Sequence, residues 1–294
     1  MTDRLPRLKP SPIPAIHPVP DYLADDRLRA VYDDTKAVLQ VPWMGVVTMA
    51  FAHYRSFYDA LWSGLRPLAE SAAFAAACAD LRRSAEAGAA RLQPGALSGR
   101  LAEIGYAPRE LDEIRDLLEV FSHGNMPYLM IATAARLLLE GHALSEDRAV
   151  APAAHRHGPA PAGRLVLMEP HHAAAPTRAL FEDVKGRLGL PFVNTDYRAL
   201  ARWPSYFALA WQDLTPVLAT PAYRDVVQSV HEAAVTNALS LPNPGRLAPA
   251  DLAAAAGRDA PLAEILQVVR LFQWLLPGLA VNVACLRRQL DGGR

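Results

Sequence analysis

Two cysteines among 294 residues, Cys78 and Cys285, stand alone without CxxC spacing. That leaves neither a zinc knuckle nor a dithiol redox centre, since both need closely spaced thiolates. Charge of one sign is also missing, because thirty basic residues balance thirty acidic ones. Such a chain has no bulk field to hold nucleic acid or an anionic membrane, and neither is expected as a partner. Strictly alternating runs of β-branched residues are absent, which argues against strands. No glycine loop that would cradle a phosphate and no metal-ligand cluster stands in the sequence, so no cofactor is expected. The longest apolar stretch near the C-terminus, Leu271 to Leu286, is shorter than a bilayer span and contains Gln273, Pro277 and Asn282. Residues 1–20 carry Arg4, Arg7 and Lys9 among six prolines and lack a continuous apolar segment. They predict an extended arm and not a secretory signal, and the chain reads as cytoplasmic.

What is present is helical periodicity. Half of the residues are apolar, enough for a sizeable core, and they recur at helical spacing, as in Leu111, Ile114, Leu117, Leu118 and Phe121. Prolines followed by acidic residues mark helix starts at Pro108 and Pro249. The expected class is all-α, with short helices joined by tight turns.

Displaced by 149 positions, the chain matches itself. Arg29, Ala30, Asp34, Lys36, Leu39, Pro42, Ala50, Ala52, Ser56, Trp62, Leu65 and Pro67 meet identical residues between Arg178 and Pro216. Twelve identities over the 42 positions from Leu28 to Ala69 compare with roughly four expected by chance. The match returns at an offset of 151, where Leu111, Glu113, Ile114, Phe121, Arg136, Leu139 and Gly141 meet identical residues from Leu262 to Gly292. The expected architecture is a pseudo-dimer of two tandem helical repeats, at 21–141 and 177–294, joined by a long linker at 142–176. The linker histidines His155, His157, His171 and His172 lack acidic or thiol partners at ligand spacing, so a solvated linker is expected and not a metal site.

Chemistry is nominated where the copies differ. Val47 aligns with Asp196, inside a segment where Asn194, Thr195 and Asp196 replace apolar residues. Asn194 or Thr195 can cap a helix there and place Asp196 in its first turn, near main-chain N–H groups able to hold a carboxylate. Asn125 aligns with Leu276 within Ser122-His123-Gly124-Asn125-Met126-Pro127. There Gly and Pro are expected to interrupt an apolar helix, with His123 at a turn or on the surface. Two-fold packing of the copies would join Asn125 with Asp196 in one site and Leu276 with Val47 in an apolar mirror site.

These residues resemble the group I 2-haloacid dehalogenases, through Val41-Pro42-Trp43, through Phe121 with Gly124-Asn125 and Tyr128, and through Asp196 with Ala199-Leu200-Ala201 and Trp203-Pro204. The resemblance implies a pseudo-dimer of helical repeats, with Asp196 as catalytic base and Asn125 holding the attacking water. It places Trp43, Val46, Ser122, Tyr128 and Thr195 around the substrate, with Val46 and Ser122 departing from the family's Phe and Asn. The activity implied is cofactor-free hydrolysis of D- and L-2-haloalkanoic acids by direct attack of water with inversion. The partner is then a small halogenated acid, and a homodimer is compatible with the reading. An aspartyl-ester route, a non-catalytic acid-binding protein and an alkylhydroperoxidase-like oxidoreductase stand as alternatives.

Overall fold

The computed structural model describes residues 5–159 and 165–291, so Arg4 of the arm, part of the linker and Gly292 lie outside it. Among the described residues there are twelve α-helices, one short 3-10 helix at Asp21–Leu23, and no strand beyond one isolated bridge between Ser71 and Pro152. The first six helices are α1 (Asp26–Leu39), α2 (Val46–Phe51), α3 (Arg55–Ala69), α4 (Ala72–Leu92), α5 (Ser98–Glu103) and α6 (Pro108–Leu139). The next six are α7 (Ala175–Leu188), α8 (Thr195–Leu200), α9 (Pro204–Leu218), α10 (Pro221–Ser240), α11 (Pro249–Ala256) and α12 (Leu262–Asp291).

Local interactions recur 149 residues apart. Trp62 donates its indole N–H to Asp34 at 2.9 Å, and Trp211 donates to Asp183 at 2.7 Å. Ser71 caps α4 through the N–H of Phe74, and Thr220 caps α10 through that of Tyr223, both at 3.1 Å. Helix α1 ends in a left-handed residue, Gln40, and α7 ends in another, Gly189. Glycine adopts that conformation without strain, whereas Gln40 carries a side chain there. That side chain is put to use, because its Oε1 accepts the N–H groups of His157 and Gly158 and ties the linker to the end of α1.

At the centre α6 packs along α12, with α4 and α10 against both. Nearly every residue of α6 from Leu118 onward is buried, as expected of a helix that is apolar all round. It corrects the expectation of an interruption: α6 runs unbroken through Gly124, Asn125 and Pro127. Proline inside a helix removes one backbone N–H, here the donor facing the His123 carbonyl, and the surrounding packing holds the rest in place. His123 is correspondingly buried and not at a turn, with Nε2 3.1 Å from the Leu39 carbonyl oxygen. Helix α12 is long and apolar enough to cross a membrane by length and composition, but most of its apolar window is buried inside the protein.

Among the described residues the linker is largely exposed, as expected, but it is tied down along its length. The Ala72 N–H donates to the Ala151 carbonyl, the Ala153 N–H to Glu70, and the Met168 N–H to Arg198. The arm is extended, without helix from residue 5 to 20, and a buried polar chain fastens it. Arg136 donates to the Pro6 carbonyl at 2.9 Å and to Gln273 Oε1 at 2.8 Å. Gln273 donates to His231 Nδ1, and His231 Nε2–H donates to the Leu5 carbonyl at 2.7 Å. This pattern needs a neutral His231, and burial pushes its pKa below the ordinary value in agreement.

Candidate active site

Helix α2 packs against α12, and α8 packs against α6. Each short helix therefore presents its first turn to a long helix from the other half of the chain. Asn194 holds the N-cap of α8 with extended backbone and makes no side-chain cap bond, which leaves the first turn to Thr195 and Asp196. Gly45 is the corresponding N-cap of α2. A Cβ on Gly45 would stand 3.0 Å from the Tyr128 ring, so the close approach of α2 to α6 depends on its absence. Gly124 is tighter still, since a Cβ there would meet the Trp43 indole at 2.3 Å.

The result is one contact between the two halves at the site. Asn125 Nδ2 donates to Asp196 Oδ1 at 2.8 Å, with both residues buried. Removing a carboxylate from water disfavours its charged form. Burial accordingly pushes Asp196 up to about 6, while the Asn125 amide and its own main-chain N–H favour the anion. An acid so placed is ionised at neutral pH yet basic enough to take a proton in a transition state.

Trp43, Val46, Tyr128 and Thr195 line a cavity with this pair, joined by Gly45, Val47, Asn194, Phe272, Leu275, Leu276 and Leu279. Its volume is about 30 Å³, above the roughly 10–15 Å³ that one water requires. The Tyr128 hydroxyl is committed to the Trp43 carbonyl at 2.6 Å, so only its ring faces the cavity. Thr195 makes no side-chain hydrogen bond among the described residues, which leaves its hydroxyl to the site. The Trp43 ring packs edge-on against Phe121 at 4.9 Å between centroids.

Two expectations are corrected. Ser122 is not part of this cavity: its hydroxyl donates to Glu86 Oε1 at 3.2 Å and accepts from Arg287 at 3.3 Å. It belongs to an ion-pair cluster of Arg82, Glu86, Glu119 and Arg287 on α4, α6 and α12. Ser122 stands one turn before Asn125, on a neighbouring side of α6, and its hydroxyl is taken up by Glu86 of α4 and Arg287 of α12. There is also no separate mirror site, because Val47 and Leu276 line the same cavity as Asp196 and Asn125.

Phe272, Leu275 and Leu279 were not singled out from sequence. The signal for them existed, since at an offset of 151 they meet Phe121, Gly124 and Tyr128. The thiols lie elsewhere: Cys78 and Cys285 are both buried, and burial raises both pKa values, Cys285 to about 12. Neutral buried thiols are poor nucleophiles, which weighs against peroxidase-type chemistry.

The site is a buried carboxylate with a raised pKa beside an amide, in an apolar cavity between two long helices. Comparisons with known proteins agree on the family. The family model "Halocarboxylic acid dehydrogenase DehI" matches residues 191–294. An (R)-2-haloacid dehalogenase of Rhizobium sp. (strain NHG3) is 48% identical over 83% of this chain and 95% of its own length. One of Pseudomonas putida is 38% identical over 93% of this chain and 92% of its own length. A solved D-2-haloacid dehalogenase mutant in complex with D-2-CPA superposes with a TM-score of 0.83 at 36% identity, over 94% of this chain and 96% of that one. A D-2-haloacid dehalogenase in complex with L-LA gives 0.84 at 35% identity, over 97% and 99%. The chain belongs to the 2-haloacid dehalogenase family, hydrolases that act on carbon–halide bonds. The Rhizobium and Pseudomonas putida relatives are named for the R enantiomer, where the sequence resemblance implies both D and L acids.

Proposed function

We propose that this protein hydrolyses short (R)-2-haloalkanoic acids by direct attack of water, with inversion to the 2-hydroxy acid. The Asn125–Asp196 hydrogen bond inside the cavity is the observation that carries the reading. Asn125 Nδ2–H is spent on Asp196, which orients the amide so that its oxygen accepts from a water beside the carboxylate. As the water oxygen closes on C2, its proton passes to Asp196, and the carbon–halogen bond breaks on the opposite side. General-base assistance of this kind contributes on the order of 100- to 10,000-fold. Alignment of water and carbon about 3 Å apart removes roughly 7 kcal/mol or more of barrier.

The apolar wall of Phe272, Leu275, Leu276 and Leu279 suits the acid's alkyl group and keeps bulk water from Asp196. Attack from behind the halide inverts the carbon, and the D configuration of one neighbour's ligand against the L configuration of another's supports that outcome. Trp43, Val46, Tyr128 and Thr195 are the proposed substrate contacts.

Halide release from separate (R)- and (S)-2-chloropropionate, with Asp196→Asn as control, tests the activity. Release from the R acid, at least tenfold faster than from the S acid and abolished in the variant, is expected. A single turnover in heavy-oxygen water tests the route: label in the product and none in Asp196 is expected, and label in Asp196 overturns direct attack by water.

A further inference from the structure

No Arg, Lys or His lines the catalytic cavity among the described residues, yet the substrate proposed for it is an anion. A cation stands in the adjoining space. A second cavity of about 210 Å³ shares Asn194, Leu275 and Leu279 with the first and is lined also by Arg7, Arg187, Tyr223, Trp274 and Asn282. It has seven times the volume of its neighbour, room for a small acid to be held beside the site where it reacts.

Arg7 comes from the N-terminal arm and is half-buried. Its Nε donates to the Trp274 carbonyl at 3.0 Å, and its guanidinium lies over the Trp274 ring at 5.3 Å. Among the described residues it forms no ion pair, and no carboxylate lines the cavity. Arg187, by contrast, is paired with Asp183 at 2.7 Å. The other arm cation, Lys9, lies over the same ring at 5.2 Å and is exposed. A half-buried guanidinium without a counter-anion is costly, and burial lowers the Arg7 pKa in keeping with that cost. The fold nonetheless commits a buried network of Arg136, Gln273 and His231 to holding residues 5 and 6 in place. Arg7 follows directly. Its remaining N–H groups form a fork that matches a carboxylate.

We propose that this second cavity is a docking site for the carboxylate of a small monocarboxylic acid, held by Arg7 beside Trp274 and passed between Leu275 and Leu279 to Asp196. The passage to Asp196 rests on the function proposed above, whereas anion binding at Arg7 does not. The test is equilibrium titration of the Asp196→Asn protein with (R)-2-chloropropionate and of the otherwise native protein with propionate, each with and without Arg7→Gln. Arg7→Lys and Lys9→Gln serve as further variants, and near-ultraviolet circular dichroism checks folding.

Arg7→Gln is expected to raise Kd tenfold or more for both acids. Arg7→Lys should recover part of that loss, and Lys9→Gln should change Kd less than twofold. In turnover Arg7→Gln should raise KM by a similar factor with kcat unchanged, which a merely structural role would not produce. Unchanged affinity in a folded Arg7→Gln protein overturns the site, as does an equal loss in Lys9→Gln. Bromide that binds at Arg7 while propionate does not also overturns it. Propionate binding that depends on Arg7 in a protein that releases no halide would keep the site and sink the proposed reaction, so the two failures are separable.

Discussion

The first turns of α2 and α8 enter one cavity with opposite chemistry. Gly45, Val46 and Val47 face one side of the cavity, and Asn194, Thr195 and Asp196 face the other. The long helices differ in the reverse sense, with Asn125 and Tyr128 on α6 against Leu276 and Leu279 on α12. Packing contacts keep the pattern in both halves: Trp43 meets Phe121 edge-on, and Phe192 meets Phe272 at 6.2 Å. Shared residues hold the helices at the right distance, and unshared ones make a single polar corner in an apolar cavity. The polar pair is split between halves, so each half alone carries one member of it.

The sharpest way to break that comparison is Asp196→Asn, which makes the polar corner uncharged. Halide release should fall by about 1,000-fold or more. Stability should move the other way. A buried carboxylate whose folded pKa is raised to about 6 binds protons more tightly in the fold, so its ionisation costs stability as pH rises from about 4 through 6. At pH 7 the variant should gain up to about 3 kcal/mol, read from denaturant or thermal midpoints.

Asn125→Leu copies the apolar residue of α12 into α6. A loss of roughly 100-fold in kcat is expected, together with an upward move of the activity midpoint, because a hydrogen bond favouring the anion is removed. In the unaltered protein kcat/KM should fall about tenfold per pH unit below roughly 6 and level off above it. Ser122→Ala, outside the cavity, should leave KM for the halo acid within twofold.

Trp62→Phe and Trp211→Phe probe what the halves share. Each deletes an indole hydrogen bond to a partly exposed aspartate. Each should lower stability by about 1 kcal/mol, equally within about 0.5, with kcat unchanged. A strongly unequal pair would show that the two halves do not use their common contacts alike.

Much of this site is legible from residues because difference between two aligned segments isolates Asp196 and Asn125, and helical spacing marks the class. The polar chemistry of Asn125 points the right way even though the expected helix break is absent: tertiary burial on all sides overrides the local signal of Gly124 and Pro127. Ser122 misleads because its hydroxyl is engaged by Glu86 and Arg287, partners 36 and 165 positions away that no local pattern reveals. The lining from α12 is missed because apolar residues carry no mark of function until the offset is applied to them. The linker's attachments are invisible for a related reason. They run through backbone groups and Gln40, which no periodicity records. Arg7 lies outside the matched segments, and its setting depends on a buried network that gathers residues 130 or more positions apart.

The Asn125–Asp196 contact has a consequence for how damage to this protein would show itself. Its two members are 71 residues apart in sequence and belong to helices that meet only when the halves are docked. Should α8 ease away from α6 enough to admit water, Asp196 would drift back toward the ordinary 3.8 and become too weak a base. Rate would then decline while helix content was still intact. With Asp196 as the proposed base, turnover would act as a strain gauge on the tertiary assembly, registering a local loosening that helix content does not.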